Sequence, residues 1–272
     1  MGIIKFYDIV RFLKKLDKHI EVKNIDKNVG SMYIDFNSYF YDSQRKTYLE
    51  SSDYTDKDRS EKYSKGKYKL EEELLDRINI SAEQIINRFK PKKNLIIAVD
   101  GIANAGKMSQ QKGRRFKSAK ENRNKFIPAG SYTPGTQIMI KIDKSIRRWL
   151  KQSKILPSTT LYSSHLEPGE GEHKIFEFIR QEKIIPSIEE INLVCGNDSD
   201  LIILTIMSEI PHAFIYKTDE KFGTKFYNID RCRKVIKDLM TFEGCNPGLI
   251  FKDFSLLIFF AGNDFLPQFP NV

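Results

Sequence analysis

The sequence predicts an α/β fold with a largely parallel, twisted sheet and helices on both faces. Short apolar runs end near Asp35, Asp100, Ser164 and Cys195, and HAFIYK is a further strand candidate. Helical patterns lie between these runs, and strands that alternate with helices are typical of a parallel sheet covered on both sides. In such sheets, ligands gather at the carboxyl ends of the strands.

The helical patterns and one polar segment set the expected domain organisation. The helical segments are LEEELLDRINISAEQIINRF, residues 135–153 and HKIFEFIRQEK. Residues 42–70 are polar and lack a sustained apolar period, so we expect an exposed, partly mobile insertion there. A length of 272 residues fits one large domain or two small ones, and we expect one domain over residues 1–272.

Composition narrows the class of protein. Lys and Arg total 45 against 36 for Asp and Glu, a net charge of +9, which suits a polyanionic partner. No apolar run approaches the roughly 20 residues of a membrane helix, so no membrane partner is expected. The three cysteines form no CxxC pair and indicate a reducing compartment. We expect the cytoplasm, with the nucleus or a viral factory as alternatives.

Seven carboxylates lie at or near the ends of short apolar runs, in five separate segments. They are Asp35, Asp100, Glu170, Glu172, Asp198, Asp200 and Asp264. A carboxylate beside a buried strand is costly without a partner, because desolvation disfavours its charged form. Mg²⁺ and Mn²⁺ prefer oxygen ligands, and paired ions stabilise the attacking and leaving oxygens of phosphodiester cleavage. The pattern predicts a nuclease whose acids converge on Mg²⁺ or Mn²⁺, with two ions expected.

Two of these segments place acids at positions i and i+2 beside a glycine. In GEGEHK, a helix start loosened by glycine lets Glu170 and Glu172 face one ion, although residues i and i+2 of a regular helix do not share a face. In GNDSD, Asp198 and Asp200 follow a strand. An acidic turn at a helix dipole and an acidic N-cap are the structural alternatives. His173 is expected on the helix surface or behind the ligands.

The segment after Asp100 has the GxxxxGK spacing of a phosphate-binding P-loop, ending at Lys107. Met108 stands where a P-loop needs Ser or Thr to hold Mg²⁺, so a P-loop is rejected.

From Lys107 onwards the pattern instead predicts a basic helix. Lys107, Gln111, Arg114 and Arg115 fall on one helical face. Such a face can bind a phosphate through an ammonium, an amide and two guanidinium groups. A solvated basic helix is the alternative.

These motifs together resemble the N-terminal catalytic region of the XRN-type 5′→3′ exoribonucleases. The resembling pieces occur in the family's order and are MGIIKF, YIDFN, AVDGIANAGKMSQQKGRRFKSA, TPGTQIM, EPGEGEHKI, GNDSDLIIL and FFAGNDFLP. The resemblance implies a PIN/FEN-like core that hydrolyses single-stranded RNA from a 5′-monophosphate end to mononucleotides. It also implies that the seven acids bind the metal and that Lys107, Gln111, Arg114 and Arg115 form the 5′-phosphate pocket.

Two departures from the family qualify this expectation. Tyr41 stands where the family usually has a histidine near the terminal nucleotide; a tyrosine can still stack on a base. The family's second conserved region is absent from this sequence. Three explanations fit this difference: the rest of the protein lies outside this sequence, a separate polypeptide completes the RNA channel, or the protein is a minimal form of the family. A FEN-like DNA nuclease and a non-catalytic RNA-binding module remain alternative functions.

Overall fold

A mostly parallel seven-stranded sheet organises the fold. The structure is a computed structural model and describes residues 6–25, 28–50, 54–64, 66–121, 129–219, 223–260 and 262. The strands are β1 (Glu21–Val22), β2 (Val29–Asp35), β3 (Asn94–Ala98), β4 (Thr159–Ser163), β5 (Ile191–Cys195), β6 (Ala213–Asp219) and β7 (Gly223–Asn228). Their order in the sheet is β1-β7-β6-β5-β2-β3-β4.

The strand pairing confirms the predicted α/β class with a largely parallel sheet. Strand β5 runs parallel to both β2 and β6, with Cys195 opposite Ile34 on one side and Tyr216 on the other. Antiparallel pairing of β6 with β7, and of β7 with the short β1, extends the sheet at one edge. The HAFIYK strand was predicted and is confirmed as β6, whereas β7 and β1 were not predicted. The β5 register brings the carboxyl ends of β2 and β5 together, so the residues that follow these strands become neighbours.

Helices connect most of the strands. They are α1 (Phe6–Leu16), α2 (Asn37–Thr47), α3 (Asp56–Tyr63), α4 (Lys67–Phe89), α5 (Ala105–Glu121), α6 (Gln137–Gln152), α7 (Gly171–Arg180), α8 (Asp200–Met207), α9 (Ile229–Met240) and α10 (Ile250–Phe260). Within the described residues, no helix has both the length and the apolar content needed to cross a bilayer.

Backbone contacts divide the chain into two compact units. The first unit comprises Met1–Asp35, Pro91–Ile96 and Ile175–Val272, and the second comprises Phe36–Lys90 and Ile97–Lys174. In the first unit, α8 and α9 pack together and against β6. In the second unit, the 23-residue helix α4 packs against α2 and α6.

The segment 42–70 is exposed or half-buried over most of its described length, as expected, but it is largely helical and its first part is partly buried. Helix α2 continues to Thr47, α3 follows, and α4 begins at Lys67. Ser43, Gln44, Thr47 and Tyr48 are buried, so part of this polar segment faces the interior. A capping box in which the Thr55 hydroxyl and the Asp58 carboxylate bond each other's backbone N–H explains why such a polar stretch starts a helix.

Candidate active site

Two of the predicted acids, Asp35 and Asp198, meet in the first unit. Asp35 is the last residue of β2 and is 5% exposed, while Asp198 lies in the loop after β5. Carboxylate oxygens of the two residues lie within 4.8 Å of each other. Gly196 permits this approach, because a Cβ there would lie 2.4 Å from Leu201 Cδ1 and 3.3 Å from Asp35 Cβ. The glycine of the GNDSD motif is therefore required by packing.

Strand β6 fixes the loop that carries Asp198. The backbone N–H of Thr218 donates to Asn197 Oδ1 at 3.2 Å. The ammonium of Lys217, a buried residue, lies 3.3 Å from the backbone carbonyl oxygen of Asp198 and donates to it. These hydrogen bonds attach the loop to the neighbouring strand β6, so the backbone position of Asp198 is fixed.

Asp200 and Asp264 are the other two acids predicted in this part of the sequence. Asp200 is the first residue of α8, where a carboxylate also complements the helix dipole, and Ser199 Oγ donates to it at 3.5 Å. Among the described residues, neither Asp100 nor Asp200 belongs to a group of three side chains at metal-ligand spacing. Asp264 lies outside the described residues. The assignment of Asp200 and Asp264 as ligands stays a prediction.

The second unit gathers Glu170 and Glu172 at the start of α7. Ligand atoms of Glu170, Glu172 and His173 all lie within 4.8 Å of one another. Glu172 is 6% exposed, and His173 is exposed on the helix surface, where the sequence placed it. The helix begins at Gly171, between the two glutamates, which explains how acids at i and i+2 can face a common point.

Asp100 is attached to the same helix start. The backbone N–H of Gly171 donates to Asp100 Oδ1 at 2.7 Å, and the backbone N–H of Asp100 donates to Asn37 Oδ1 at 3.0 Å. Gly101 allows the chain to pass here, since a Cβ at that residue would lie 1.7 Å from the carbonyl oxygen of Glu167. The AVDG and EPGEGE motifs are thus in direct contact with each other, and we call this contact the junction at the start of α7.

Lys107, predicted to bind phosphate, forms an ion pair with Glu170. The Lys107 ammonium lies 3.3 Å from the Glu170 carboxylate, and the two side chains are 10% and 11% exposed. The ion pair offsets part of the charge that the carboxylates concentrate at the start of α7. The predicted phosphate-binding helix and the predicted metal ligands are therefore in direct contact within this unit.

Lys174 is a second cation at this junction. It is 3% exposed, and its ammonium donates at 2.8 Å to the carbonyl oxygens of both Val99 and Ser164. Burial lowers the pKa of Lys174 to about 8, while the carboxylates of Glu167 and Asp100 oppose that shift.

Helix α5 confirms the predicted basic helix. Asn104 Oδ1 accepts a hydrogen bond from the backbone N–H of Lys107 at 3.0 Å, as an N-cap residue does, so a capped helix replaces the P-loop suggested by GxxxxGK. One turn on, the Arg115 guanidinium donates to Gln111 Oε1 at 3.0 Å. Arg114 lies beside Arg115 on this helix and is half-buried. The phosphate-binding role of these residues stays a prediction.

Tyr41 lies on α2 in the electrostatic neighbourhood of Asp100 and Arg115. Its ring packs edge-on against Tyr132 with centroids 5.4 Å apart and remains 44% exposed. Partial burial raises the pKa of the Tyr41 phenol, the Asp100 carboxylate raises it further, and Arg115 opposes both. The phenol is therefore neutral at pH 7. The exposed face of the Tyr41 ring can stack on a nucleotide base.

Sequence reasoning missed Asn37, Lys174 and Lys217. Each contacts backbone beside a predicted acid: Asn37 at Asp100, Lys174 at Val99, and Lys217 at Asp198. The available signal was position, because Lys174 is part of GEGEHK and Lys217 ends the predicted strand HAFIYK. The spacing of these lysines in the sequence does not show whether they are buried or solvated. Their burial depends on how the chain packs at the ends of the strands.

The donor sets fit hard divalent cations. Carboxylate oxygens at mutual distances below 4.8 Å, of which those of Asp35 and Glu172 belong to buried residues, are the ligands that Mg²⁺ and Mn²⁺ prefer. In the second unit, His173 adds a nitrogen at the same spacing. In the second unit, the positive groups Lys107 and Lys174 lie beside the acids, so this carboxylate group is in a partly neutralised environment.

The fold also occurs in solved structures. The catalytic core of Rad2, solved in complex with a DNA substrate, superimposes with a TM-score of 0.52 at 12% identity, covering 99% of this chain and 64% of that one. A second Rad2–DNA complex gives 0.53 at 13% identity. At this identity the likeness establishes the fold alone, and it confirms the predicted FEN-like α/β core.

Sequence comparison then gives the family. Residues 1–131 and 123–219 match the family described as XRN 5′-3′ exonuclease N-terminus, and the chain belongs to this family. It is 30% identical to 5′-3′ exoribonuclease 1 of Saccharomyces cerevisiae over 100% of its length, and 33% identical to the Schizosaccharomyces pombe and Homo sapiens proteins of the same name over 74% and 70%. The matched regions are 20%, 18% and 14% of those relatives, so the chain spans a fifth of their length or less.

Proposed function

We propose that this chain is a divalent-metal-dependent 5′→3′ exoribonuclease that degrades single-stranded RNA bearing a 5′ monophosphate to mononucleotides. The observation that carries the proposal is the junction at the start of α7. There Glu170 and Glu172 lie at ligand spacing, Asp100 is bonded to Gly171, and the phosphate-binding candidate Lys107 contacts Glu170. Membership of the XRN family supports the same activity.

Each unit would bind metal through its own carboxylates. Glu170, Glu172 and Asp100 serve from the second unit and Asp35, Asp198 and Asp200 from the first, with Asp264 expected to join them. A divalent ion supplies Lewis-acid activation of the attacking water and stabilises the leaving 3′ oxygen. The acids themselves would bind and orient the ion, because carboxylates this close together repel one another until a cation binds.

The basic face of α5 would select the RNA end. A 5′ monophosphate carries close to two negative charges and presents several acceptors to Lys107, Gln111, Arg114 and Arg115. A 5′-hydroxyl end leaves those donors without a partner, and a cap or triphosphate is too bulky for a closed pocket. Tyr41 would stack on the terminal base from its exposed face.

One assay tests this proposal against two alternatives. RNA with 5′-phosphate, 5′-hydroxyl and capped ends, single-stranded DNA and a flapped DNA duplex are each incubated with and without Mg²⁺ or Mn²⁺. We expect metal-dependent release of mononucleotides from 5′-phosphorylated RNA above all other substrates. Preference for the flapped duplex would favour a DNA nuclease, the alternative that the Rad2-like fold supports. Tight RNA binding without metal-dependent turnover would favour a non-catalytic RNA-binding module.

Processivity is a separate proposal. The curated relatives contain several times more chain than the matched region, and protein surface beyond these 272 residues, in the same chain or in a separate polypeptide, would help to enclose the RNA. The 272 residues alone are then expected to degrade RNA distributively, with affinity that falls steeply as salt rises. A competitor trap added after binding measures this: complete degradation of prebound RNA in one encounter would contradict it.

A further inference from the structure

Lys174 joins the carboxyl ends of two strands. Its ammonium donates to the carbonyl oxygens of Val99, the residue before Asp100, and Ser164, the residue after β4, each at 2.8 Å. A buried ammonium is costly unless its donors are satisfied. Here two carbonyl oxygens at strand ends satisfy two of its three donors.

Lys174 makes these contacts from the helix that carries two of the predicted metal ligands. Helix α7 begins with Glu170 and Glu172 around Gly171, whose N–H donates to Asp100 Oδ1 at 2.7 Å. The Lys174 stem packs close to the chain here, since a Cβ at Gly169 would lie 3.4 Å from Lys174 Cγ. The lysine therefore links α7 to the backbone on which Asp100 is carried, independently of any contact between the carboxylates.

We infer that Lys174 is a positioning residue for metal binding: its two hydrogen bonds set the distance between Asp100 and the glutamates Glu170 and Glu172. This inference rests on the proposed metal-dependent hydrolysis. Lys174 itself has no lone pair to offer while it is charged, so it acts through the ligands it positions.

Two other roles for a buried lysine predict different results. A lysine that acts only as a nearby positive charge competes with the cation, so its removal would tighten metal binding. A lysine that only stabilises the fold would, when removed, lower stability without a specific change in metal affinity. A positioning lysine, when removed, weakens metal binding at unchanged RNA affinity. The sign of the change in metal affinity therefore separates the three roles.

The chain offers a matched control in Arg233. This buried guanidinium also donates to backbone carbonyls, those of Thr205, Ile206 and Ile210 near the end of α8. It also forms an ion pair with Asp230, on its own helix. The variant Arg233→Met thus removes a buried cation that ties carbonyls together near the end of α8 that is opposite to Asp200.

The test compares Lys174→Met, Lys174→Gln and Arg233→Met with the unaltered protein. Urea unfolding gives stability, calorimetric titration with Mn²⁺ gives metal affinity, and kcat and KM are measured on 5′-phosphorylated RNA at a temperature where each variant is folded. We expect Lys174→Met to weaken Mn²⁺ binding and lower kcat by about 10- to 100-fold, with KM for RNA within about twofold. Lys174→Gln keeps two N–H donors and is expected to fall between Lys174→Met and the unaltered protein; it also serves if Lys174→Met does not fold.

The outcomes separate this inference from the function on which it rests. Arg233→Met is expected to lose stability while Mn²⁺ affinity stays within about twofold. If the Lys174 variants match Arg233→Met in metal affinity, or bind Mn²⁺ more tightly than the unaltered protein, the positioning role is wrong and the proposed function stands. If the unaltered protein neither binds Mn²⁺ nor needs it for hydrolysis, the proposed function fails, and this inference with it.

Discussion

The acids of the two units are held in different ways. In the first unit, carboxylates of Asp35 and Asp198 lie within 4.8 Å of each other, and Lys217 bonds the backbone of Asp198. In the second unit, Glu170 pairs with Lys107, and Asp100 accepts a hydrogen bond from the start of α7. The two pairs of acids at i and i+2 are thus surrounded by different contacts in the two units. The energetic effect of removing an acid should differ accordingly.

The largest expected effect is on turnover, and here the two groups should behave alike. Asp198→Asn in the first unit and Glu172→Gln in the second are each expected to lower hydrolysis of 5′-phosphorylated RNA by at least about a hundredfold. RNA binding should persist, because the basic face of α5 is untouched. Single-turnover kinetics with a separate binding assay measure both. Near-normal metal-dependent cleavage by either variant would remove its unit from the catalytic assignment.

End selection should come from the second unit alone. Arg114→Ala combined with Arg115→Ala is expected to cost about 2–4 kcal/mol in kcat/KM on 5′-phosphorylated RNA and much less on 5′-hydroxyl RNA. The control is Lys120→Ala on the last turn of the same helix, which should lower both rates slightly and equally. Equal losses on both RNAs in the double variant would make α5 a general basic surface without a pocket.

Much of this comparison could be predicted from sequence. The strands ending near Asp35, Asp100 and Cys195 are confirmed, because buried parallel strands give continuous apolar runs. The basic helix after Asp100 is also confirmed. The β6–β7 hairpin was only half predicted, since GTKFYN carries too short a pattern to distinguish a strand from a loop.

The partners of the acids could not be predicted. Spacing indicates that Glu170 and Glu172 can face one point, but it does not indicate that Lys107 pairs with Glu170 or that Asp100 bonds Gly171. Those contacts depend on how loops pack after the strands end. The same limit applies to residues 42–70, whose polar composition concealed the burial of Gln44 and Tyr48.

Stability in metal-free buffer should distinguish the two groups. Asp198→Asn is expected to leave the free energy of unfolding unchanged or to raise it, because repulsion from Asp35 is relieved. Glu170→Gln is expected to lower it by about 1–3 kcal/mol, because Lys107 loses a shielded counter-charge. Urea unfolding in the presence of a chelator measures both. A loss for Asp198→Asn as large as that for Glu170→Gln would show that the two groups are held in the same way.

The smallest expected effect is a pH dependence of the free energy of unfolding that arises from Lys174 in the second unit. The pKa of Lys174 is lowered to about 8 in the folded protein, below the ordinary lysine value near 10.5. Between these values the unfolded chain holds a proton that the folded protein has released, so this group makes stability rise with pH. The rise should disappear in Lys174→Met, and the difference between the two proteins is measured by urea unfolding at pH 7, 8, 9 and 10. A constant difference across that range would contradict the shifted pKa.

Calorimetric titration of Mn²⁺ into the metal-free protein tests most directly whether both carboxylate groups serve the metal. The comparison needs only the unaltered protein, Asp198→Asn and Glu172→Gln, and it does not depend on RNA or on turnover. We expect each substitution alone to weaken Mn²⁺ affinity by about tenfold or more, or to remove a binding event. Unchanged affinity and stoichiometry in both variants would contradict a metal site built from these acids.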